Sequence, residues 1–168
     1  RGRGEIVLET FGKPCHSANP EKGINAVYKM AKVIEAIRTL EPTHHPVLGD
    51  GILELTDIKS APYPGASVVP EYCRATYDRR LLVGETKESV LAPIQELLDK
   101  LMAEDPQLKA KVSYAVGKEL CYTGNEITGE RFFPGWLYDE KDEFVQDVQK
   151  ELEGMGYTPE ITQYNFCT

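Results

Sequence analysis

The chain has 168 residues, of which 41% are hydrophobic and 27% are charged, and its net charge is -8. This composition is typical of a folded globular domain and excludes a disordered chain. The acidic balance argues against nucleic-acid binding, which needs a clustered basic surface. No apolar run approaches the roughly 18 residues that span a bilayer.

The first half of the chain predicts a strand, a helix and two further strands. A β-rich run over 5–11 ends at a Gly- and Pro-containing loop, and apolar residues at three- and four-residue spacing predict a helix over 24–40. A loop over 43–50 leads to strands over 51–60 and 68–83. In the last strand, one alternate set of side chains should pack beneath helices and the other should face outward: Cys73, Ala75 and Tyr77 against Arg74, Thr76, Asp78 and Arg80.

The next segments complete a recognisable order of elements. An apolar stripe predicts a helix over 87–102, and a strand is predicted over 109–120. The order β-α-β-β-α-β is that of the ferredoxin-like α+β fold, an antiparallel sheet with two helices on one face. This order leaves the 51–60 strand at a sheet edge.

The composition changes after residue 120. Residues 121–134 are predicted to be irregular, 139–153 an acidic amphipathic helix, and 159–166 a buried strand. One helix and one strand are only part of an α/β unit. We therefore divide the chain into a domain over 1–120 and a linker with a partial second domain over 121–168.

The ends and the cysteines bear on the protein's context. The sequence begins RGRGEI, without Met or a signal peptide, which predicts a piece cut from a larger protein. Its four cysteines are widely spaced and include no C-x-x-C pair of the kind that structural zinc sites use. We interpret them as reduced thiols of a cytoplasmic protein.

Few residues suggest chemistry. His44 and His45 lie together in a predicted loop and are interpreted as solvent-exposed, whereas His16 lies between the first strand and the first helix, where functional residues are often displayed. A turn-capping role for His16 remains the alternative. The sequence has no P-loop, no nucleophile elbow, and no H-x-D or H-E-x-x-H metal motif.

Longer motifs carry a resemblance to a known family. HSANPEKGINA at 16–26, SVVPEYCRATYDRRL at 67–81, and FFPGW followed by an acidic helix and YNFCT resemble the lid domain of metallopeptidase family M20 and its return into the catalytic domain. That family includes carboxypeptidase G, aminoacylase, acetylornithine deacetylase and succinyl-diaminopimelate desuccinylase. YDRRLLVGET is most similar to its selenium-metabolism-linked hydrolase subgroup.

The resemblance implies a function and a set of site residues. Such enzymes bind two zinc ions in a catalytic domain, hydrolyse an amide next to a carboxylate, and form homodimers through the lid domain. His16 matches the histidine that enters the partner's active site, and Arg80 matches the arginine that binds a substrate carboxylate. Asn25 matches a helix-start asparagine, a substrate-binding candidate for which a cap or turn role is the favoured interpretation. Ser67, the other substrate-binding candidate, stands where many relatives carry a substrate-contacting asparagine. The family's metal ligands have no counterpart in this sequence.

We therefore expect the dimerisation and lid domain of a zinc-dependent amidohydrolase or peptidase, inactive and without cofactor as an isolated chain. Its partners should be a second copy and, in the parent, a small-molecule or peptide substrate, with no nucleic acid or membrane. One alternative is a stand-alone ferredoxin-like module that binds a small molecule or has a regulatory role. Another is a purely structural interaction domain. The tail from Tyr122 argues against the stand-alone module, and the positions of His16 and Arg80 argue against the purely structural domain.

Overall fold

A computed structural model describes residues 1–167, and Thr168 lies outside the described residues. Its centre is an antiparallel sheet with helices packed on one face. In chain order the elements are β1 (Gly2–Phe11), α1 (Ala26–Ile37), β2 (His44–His45), β3 (Gly49–Asp50), β4 (Ile52–Ala61), β5 (Tyr72–Leu81), α2 (Lys87–Glu104), β6 (Lys109–Tyr114), β7 (Val116–Leu120), β8 (Glu126–Glu130), β9 (Phe132–Phe133) and α3 (Glu143–Gly154).

The sheet order confirms the predicted fold. The strands lie in the order β4-β5-β1-β6 and all these pairs are antiparallel. Both α1 and α2 pack on the same face, α1 over β1 and β5 and α2 over β6. This is the ferredoxin-like arrangement, with β4 at one edge as predicted. The edge strand carries a β-bulge between Leu55 and Asp57.

Local signals explain where the two main helices begin. The side chain of Asn25 caps α1 by accepting hydrogen bonds from the backbone N–H groups of Val27 and Tyr28. Thr86 and Ser89 form a reciprocal capping box at the start of α2. Pro93 lies inside α2, in its second turn, where it removes one i→i−4 backbone hydrogen bond.

The core lies between the helices and the sheet. Its largest fully buried side chains include Ile6 and Leu8 of β1, Met30 and Val33 of α1, and Leu98 of α2. Cys73, Ala75 and Tyr77 of β5 are buried beneath the helices, as their alternation predicted, while Arg74, Asp78 and Arg80 on the opposite face stay partly exposed. Thr76 lies on that outward face but is buried because β5 is an inner strand.

The structure corrects four predictions. The strand predicted over 109–120 is two strands broken at Ala115. The second, β7, forms a separate hairpin with β8, which lies within the segment predicted to be irregular. The strand predicted from residue 68 begins at Tyr72. The loop over 43–50 contains the short hairpin β2–β3.

The fourth correction concerns the tail. The prediction of a buried strand over 159–166 is wrong, since these residues form no strand and none of them is buried. The apolar composition of that run resembles a strand, but none of the described strands pairs with it. The helix predicted over 139–153 is present as α3. Within 1–167 no helix is long and apolar enough to cross a bilayer.

Candidate functional site

The candidate histidine lies on a loop that is tied down at both ends. Lys13 and Ile24 bond to each other through two backbone hydrogen bonds of 2.9 and 2.8 Å, which close the base of the loop. Cys15 accepts a backbone hydrogen bond from Val69 at 2.9 Å, and Ser17 donates one to Ser67 at 2.8 Å. His16 is therefore held against the segment that precedes β5, at one end of the sheet.

Two glycines allow this loop to fold back so closely. A Cβ atom at Gly12 would overlap the carbonyl oxygen of Ile24, and a Cβ at Gly23 would lie 2.7 Å from the carbonyl oxygen of Lys13. Real Cβ atoms do not approach backbone so closely, so only glycine fits at either position.

The hydrogen bonds of His16 determine which ring nitrogen can donate. Its side chain is exposed, and its Nδ1 accepts a hydrogen bond from the backbone N–H of Ala18 at 3.1 Å. In a neutral imidazole the accepting nitrogen carries no proton, so Nε2 carries it. The loop thus presents an N–H donor to a group outside the chain.

Two other predicted site residues lie close to His16. Ser67 is exposed, and it follows Ala66, whose φ of 33° is unusual for a non-glycine residue. Its backbone supports the His16 loop through Ser17. Asn25 is the α1 N-cap, so its Oδ1 is committed to the helix while its Nδ2 stays available as a donor.

Arg80 lies at the opposite end of the sheet. Phe11 pairs with Tyr72 near the His16 loop, whereas Arg3 pairs with Arg80 at the far end of the same two strands. Eight residues of extended strand separate Tyr72 from Arg80, which corresponds to about 26 Å. One chain therefore cannot place His16 and Arg80 on the same small substrate.

Arg80 shares its carboxylate partner with a second arginine. Asp78 forms an ion pair with Arg80, whose Nε lies 2.6 Å from the carboxylate, and it accepts a hydrogen bond from Arg3 Nε at 2.7 Å. Asp78 raises the pKa of Arg3, mainly through this hydrogen bond. Arg3 also lies 3.5 Å from Glu5, so it bridges two carboxylates, whereas Arg80 pairs with Asp78 and its side chain stays 26% exposed. The sequence analysis missed Arg3, because its link to Arg80 comes only from strand pairing.

Arg79 cannot take the same role. It points to the helix face, is 7% exposed, and forms an ion pair with Glu85 together with hydrogen bonds to Thr43 and the carbonyl of Ile52. A buried guanidinium whose donors are already used has little capacity for a ligand. His44 and His45 are also engaged locally, with Asp50 and with the backbone of residues 47 and 48.

A depression beside the His16 loop contains residues that sequence reasoning did not identify. Its volume is about 520 Å³, and its lining includes Ser17, Asn25, Tyr28, Lys29, Lys32 and Asp105. Lys29 binds Asp105 at 2.8 Å, and Lys32 lies 3.6 Å from the same carboxylate. The hydrogen bond from Lys29 lowers the pKa of Asp105 below its ordinary value. Only the packing of α1 against the end of α2 brings these groups together.

The residues described do not fit a metal centre. Within 1–167, no group of three or more His, Cys, Asp or Glu side chains could hold a metal ion. The two zinc ions that the resemblance implies thus find no ligand set in this part of the chain.

Comparison with known proteins agrees with the fold and shows the family. Residues 1–106 match the family described as "Peptidase dimerisation domain" of the M20 group. This chain belongs to the M20 peptidase dimerisation domain family. Over its whole length it is 31% identical to an uncharacterised protein, YgeY, of Escherichia coli K12. The dimerisation domain and its tail cover 41% of that relative, so the chain spans about two-fifths of the curated protein it matches.

Solved structures share the fold at low sequence identity. An aminopeptidase PepT from Bacillus cereus superposes with a TM-score of 0.67 at 19% identity, covering 97% of this chain and 38% of that protein. An aminobenzoyl-glutamate utilization protein from Klebsiella pneumoniae superposes with a TM-score of 0.57 at 14% identity, covering 90% of this chain and 33% of that protein. Both structures share the fold of this chain.

Proposed function

We propose that this chain is the dimerisation and lid domain of a zinc-dependent M20 amidohydrolase or peptidase that hydrolyses an amide next to a carboxylate. In this proposal His16 acts on the scissile carbonyl, and Arg80 binds the carboxylate. The zinc ions are held by residues of the parent protein outside this chain. The observation that carries the proposal is the exposed His16, fixed on its loop with Nε2 as a donor.

His16 suits the stabilisation of a developing negative charge. Attack on an amide turns its carbonyl oxygen into an oxyanion, and a fixed N–H donor aimed at that oxygen stabilises the transition state by about 2–4 kcal/mol. The closed loop base and the backbone links to Val69 and Ser67 limit the movement of the ring. A donor held in place before the reaction loses little entropy when charge develops.

Arg80 suits recognition of the substrate carboxylate. A guanidinium can make two parallel hydrogen bonds to a carboxylate, which fixes its orientation as well as its position. Asp78 orients Arg80 through an ion pair at 2.6 Å, and the Arg80 side chain remains 26% exposed to a ligand. Ser67 and the Nδ2 of Asn25 are additional hydrogen-bonding groups near His16 rather than near Arg80.

The separation of the two residues supports a site built from two subunits. If both contact one small substrate, His16 must come from one copy and Arg80 from another. We propose that the copies associate through the exposed edge of β4, since it has no strand neighbour on that side among residues 1–167 and an unpaired edge is a template for strand addition. Ile52 and Ile58 on this strand are 42% and 48% exposed. A homodimer would usually join the same edge of both copies.

We also propose that the protein works in the cytoplasm. The thiols of Cys15, Cys73 and Cys121 are free in the structure, which fits a reducing compartment.

The test is His16→Ala in the full-length protein that contains this domain. Turnover of N-acyl amino acids or peptides should fall by about two to three orders of magnitude, the usual loss for one oxyanion donor. Bound zinc, measured by elemental analysis, should stay unchanged. His45→Ala is the matched control, because His45 Nδ1 also accepts backbone hydrogen bonds in a turn. Wild-type turnover in the His16 variant would remove the residue from the reaction.

A further inference from the structure

The depression beside His16 has a distinctive charge. Its lining contains two lysines, Lys29 and Lys32, and a single carboxylate, Asp105. Because Asp105 binds Lys29 at 2.8 Å and lies 3.6 Å from Lys32, it can neutralise only one of them. The lining therefore keeps one positive charge, in a chain whose net charge is -8.

The two lysines differ in how free they are. Lys29 has a side chain 17% exposed and reaches from α1 to Asp105 at the end of α2, so it is mostly committed to joining the helices. Lys32 is 43% exposed and makes the longer contact. Lys32 can thus turn toward an external anion at little structural cost, whereas Lys29 holds the competing carboxylate in place.

The depression also lies next to the candidate catalytic loop. Ser17 follows His16 directly, and Val68, which pairs with His16, belongs to the same lining. Its volume of about 520 Å³ lies within the range of roughly 300–1,000 Å³ typical of small-molecule sites. Asn25 Nδ2 and the exposed ring of Tyr28 add a hydrogen-bond donor and an apolar wall.

We propose that this depression receives a singly charged carboxylate on the substrate, separate from the one at Arg80, and that Lys32 selects for it. This inference rests on the proposed function, because it places the depression beside the reacting amide. It deepens that function by naming a substrate class: an amide whose acyl or amino part carries an additional carboxylate. A net charge of one in the lining matches a carboxylate better than a doubly charged phosphate.

The experiment uses the full-length protein and substrate pairs that differ in one charge. N-succinyl amino acids are compared with their N-succinamoyl counterparts, and glutamate-containing substrates with glutamine-containing ones. In one of these pairs, the wild type should have a higher kcat/KM for the charged member than for the uncharged one. Lys32→Gln should reduce that preference about three- to tenfold, as expected for a partly exposed charge pair. Asp105→Asn, which removes the competing carboxylate but can keep the hydrogen bond from Gln107, should increase it.

Lys118→Gln is the matched control, because Lys118 also lies in a loose exposed ion pair, 3.4 Å from Glu126. It should leave the preference unchanged. An equal rate for both members of every pair in the wild type would overturn the proposal, and so would an unchanged preference in Lys32→Gln.

A binding measurement separates this inference from the proposed function. Succinate and succinamate are titrated into the same variants by calorimetry. Tighter binding of succinate that is lost in Lys32→Gln supports the carboxylate site, even in a protein that hydrolyses none of the substrates. Hydrolysis without any charge preference in rate or binding supports the proposed function and rejects the carboxylate site.

Discussion

Residues 2–115 and residues 116–167 both contain helices and strands, but they differ in burial. Every buried hydrophobic side chain lies between Ile6 and Ala115, and no residue in 116–167 is buried. In the first region two helices cover one face of four strands of the five-stranded sheet, which is enough to enclose a core, and the fifth strand is the short β9 of the second region, paired with β1. The second consists of a hairpin, a short strand and one helix. The difference shows that a local sequence pattern is enough to form a helix or a strand, but only a second packed layer buries its apolar face.

Helix α3 illustrates this point. It has a good N-cap in Asp142, whose side chain accepts a hydrogen bond from Phe144, and an apolar stripe. Yet Phe144 and Val148 on that stripe are 62% and 44% exposed. Most helical stability in proteins comes from packing an apolar face, and within 1–167 that face of α3 is only partly covered, for example by the ring of Tyr138 against Phe144.

The largest expected effect is on the free energy of unfolding, when the same leucine-to-alanine substitution is made in each of the two regions. Leu8→Ala should lower the free energy of unfolding by about 3 kcal/mol, because it removes a fully buried side chain and leaves a cavity. Leu120→Ala, at a position 76% exposed in the β7–β8 hairpin, should change it by less than about 0.5 kcal/mol. Urea unfolding of the two variants beside the wild type measures both values. Comparable losses would mean that the hairpin shares the core's stability.

A smaller effect comes from a buried tyrosine of the first region. Burial, together with the negative charges of Glu54 and Glu35, raises the pKa of Tyr77 to about 12. Between pH 10 and 12 the folded state then holds this proton while the unfolded state has lost it, so the free energy of unfolding falls as pH rises. Tyr77 accounts for about 2 kcal/mol of this loss.

Tyr77→Phe tests this pH dependence directly. The Tyr77 hydroxyl has no hydrogen-bond partner in the structure, so its removal should not disturb the fold. The variant should lose less stability than the wild type between pH 10 and 12 in urea unfolding. Tyr157→Phe, at a ring 65% exposed in the tail, is the control. An identical pH dependence in the Tyr77 variant and the wild type would show that this ring is not the source.

The sequence predicted the first region well because its signals are local. Three- and four-residue spacing located α1 and α2, and alternation assigned the two faces of β5. For Asn25 a cap or turn role was favoured over substrate binding, and the structure shows it as the N-cap of α1. The position of His16 between a strand and a helix was enough to identify its loop.

The remaining features depend on contacts between distant residues. The apolar run over 159–166 looked like a strand, but pairing needs a neighbour, and none of the described strands lies beside it. The residues of β7 were predicted as part of a longer strand, but those of β8 lack an alternating apolar pattern, and the hairpin turn at Gly124, with a φ of 84°, was not recognised. Alternation placed Arg80 on the outward face, but only strand register shows that it lies far from His16.

The central claim is that one active site takes His16 from one subunit and Arg80 from the other. It is tested by mixing two full-length variants, His16→Ala and Arg80→Ala, each inactive alone. In a mixed dimer, one site keeps both residues and the other site loses both. After random exchange of equal amounts, half of the dimers are mixed, so activity should return to about a quarter of the wild-type value.

The double variant His16→Ala with Arg80→Ala, mixed with either single variant, serves as the control and should recover nothing. Native mass spectrometry of differently tagged subunits confirms that exchange has taken place. Recovery of about a quarter of wild-type activity in the mixture of single variants is the predicted result. Proven exchange without any recovery would contradict the claim, because it would mean that His16 and Arg80 of different copies do not serve one site.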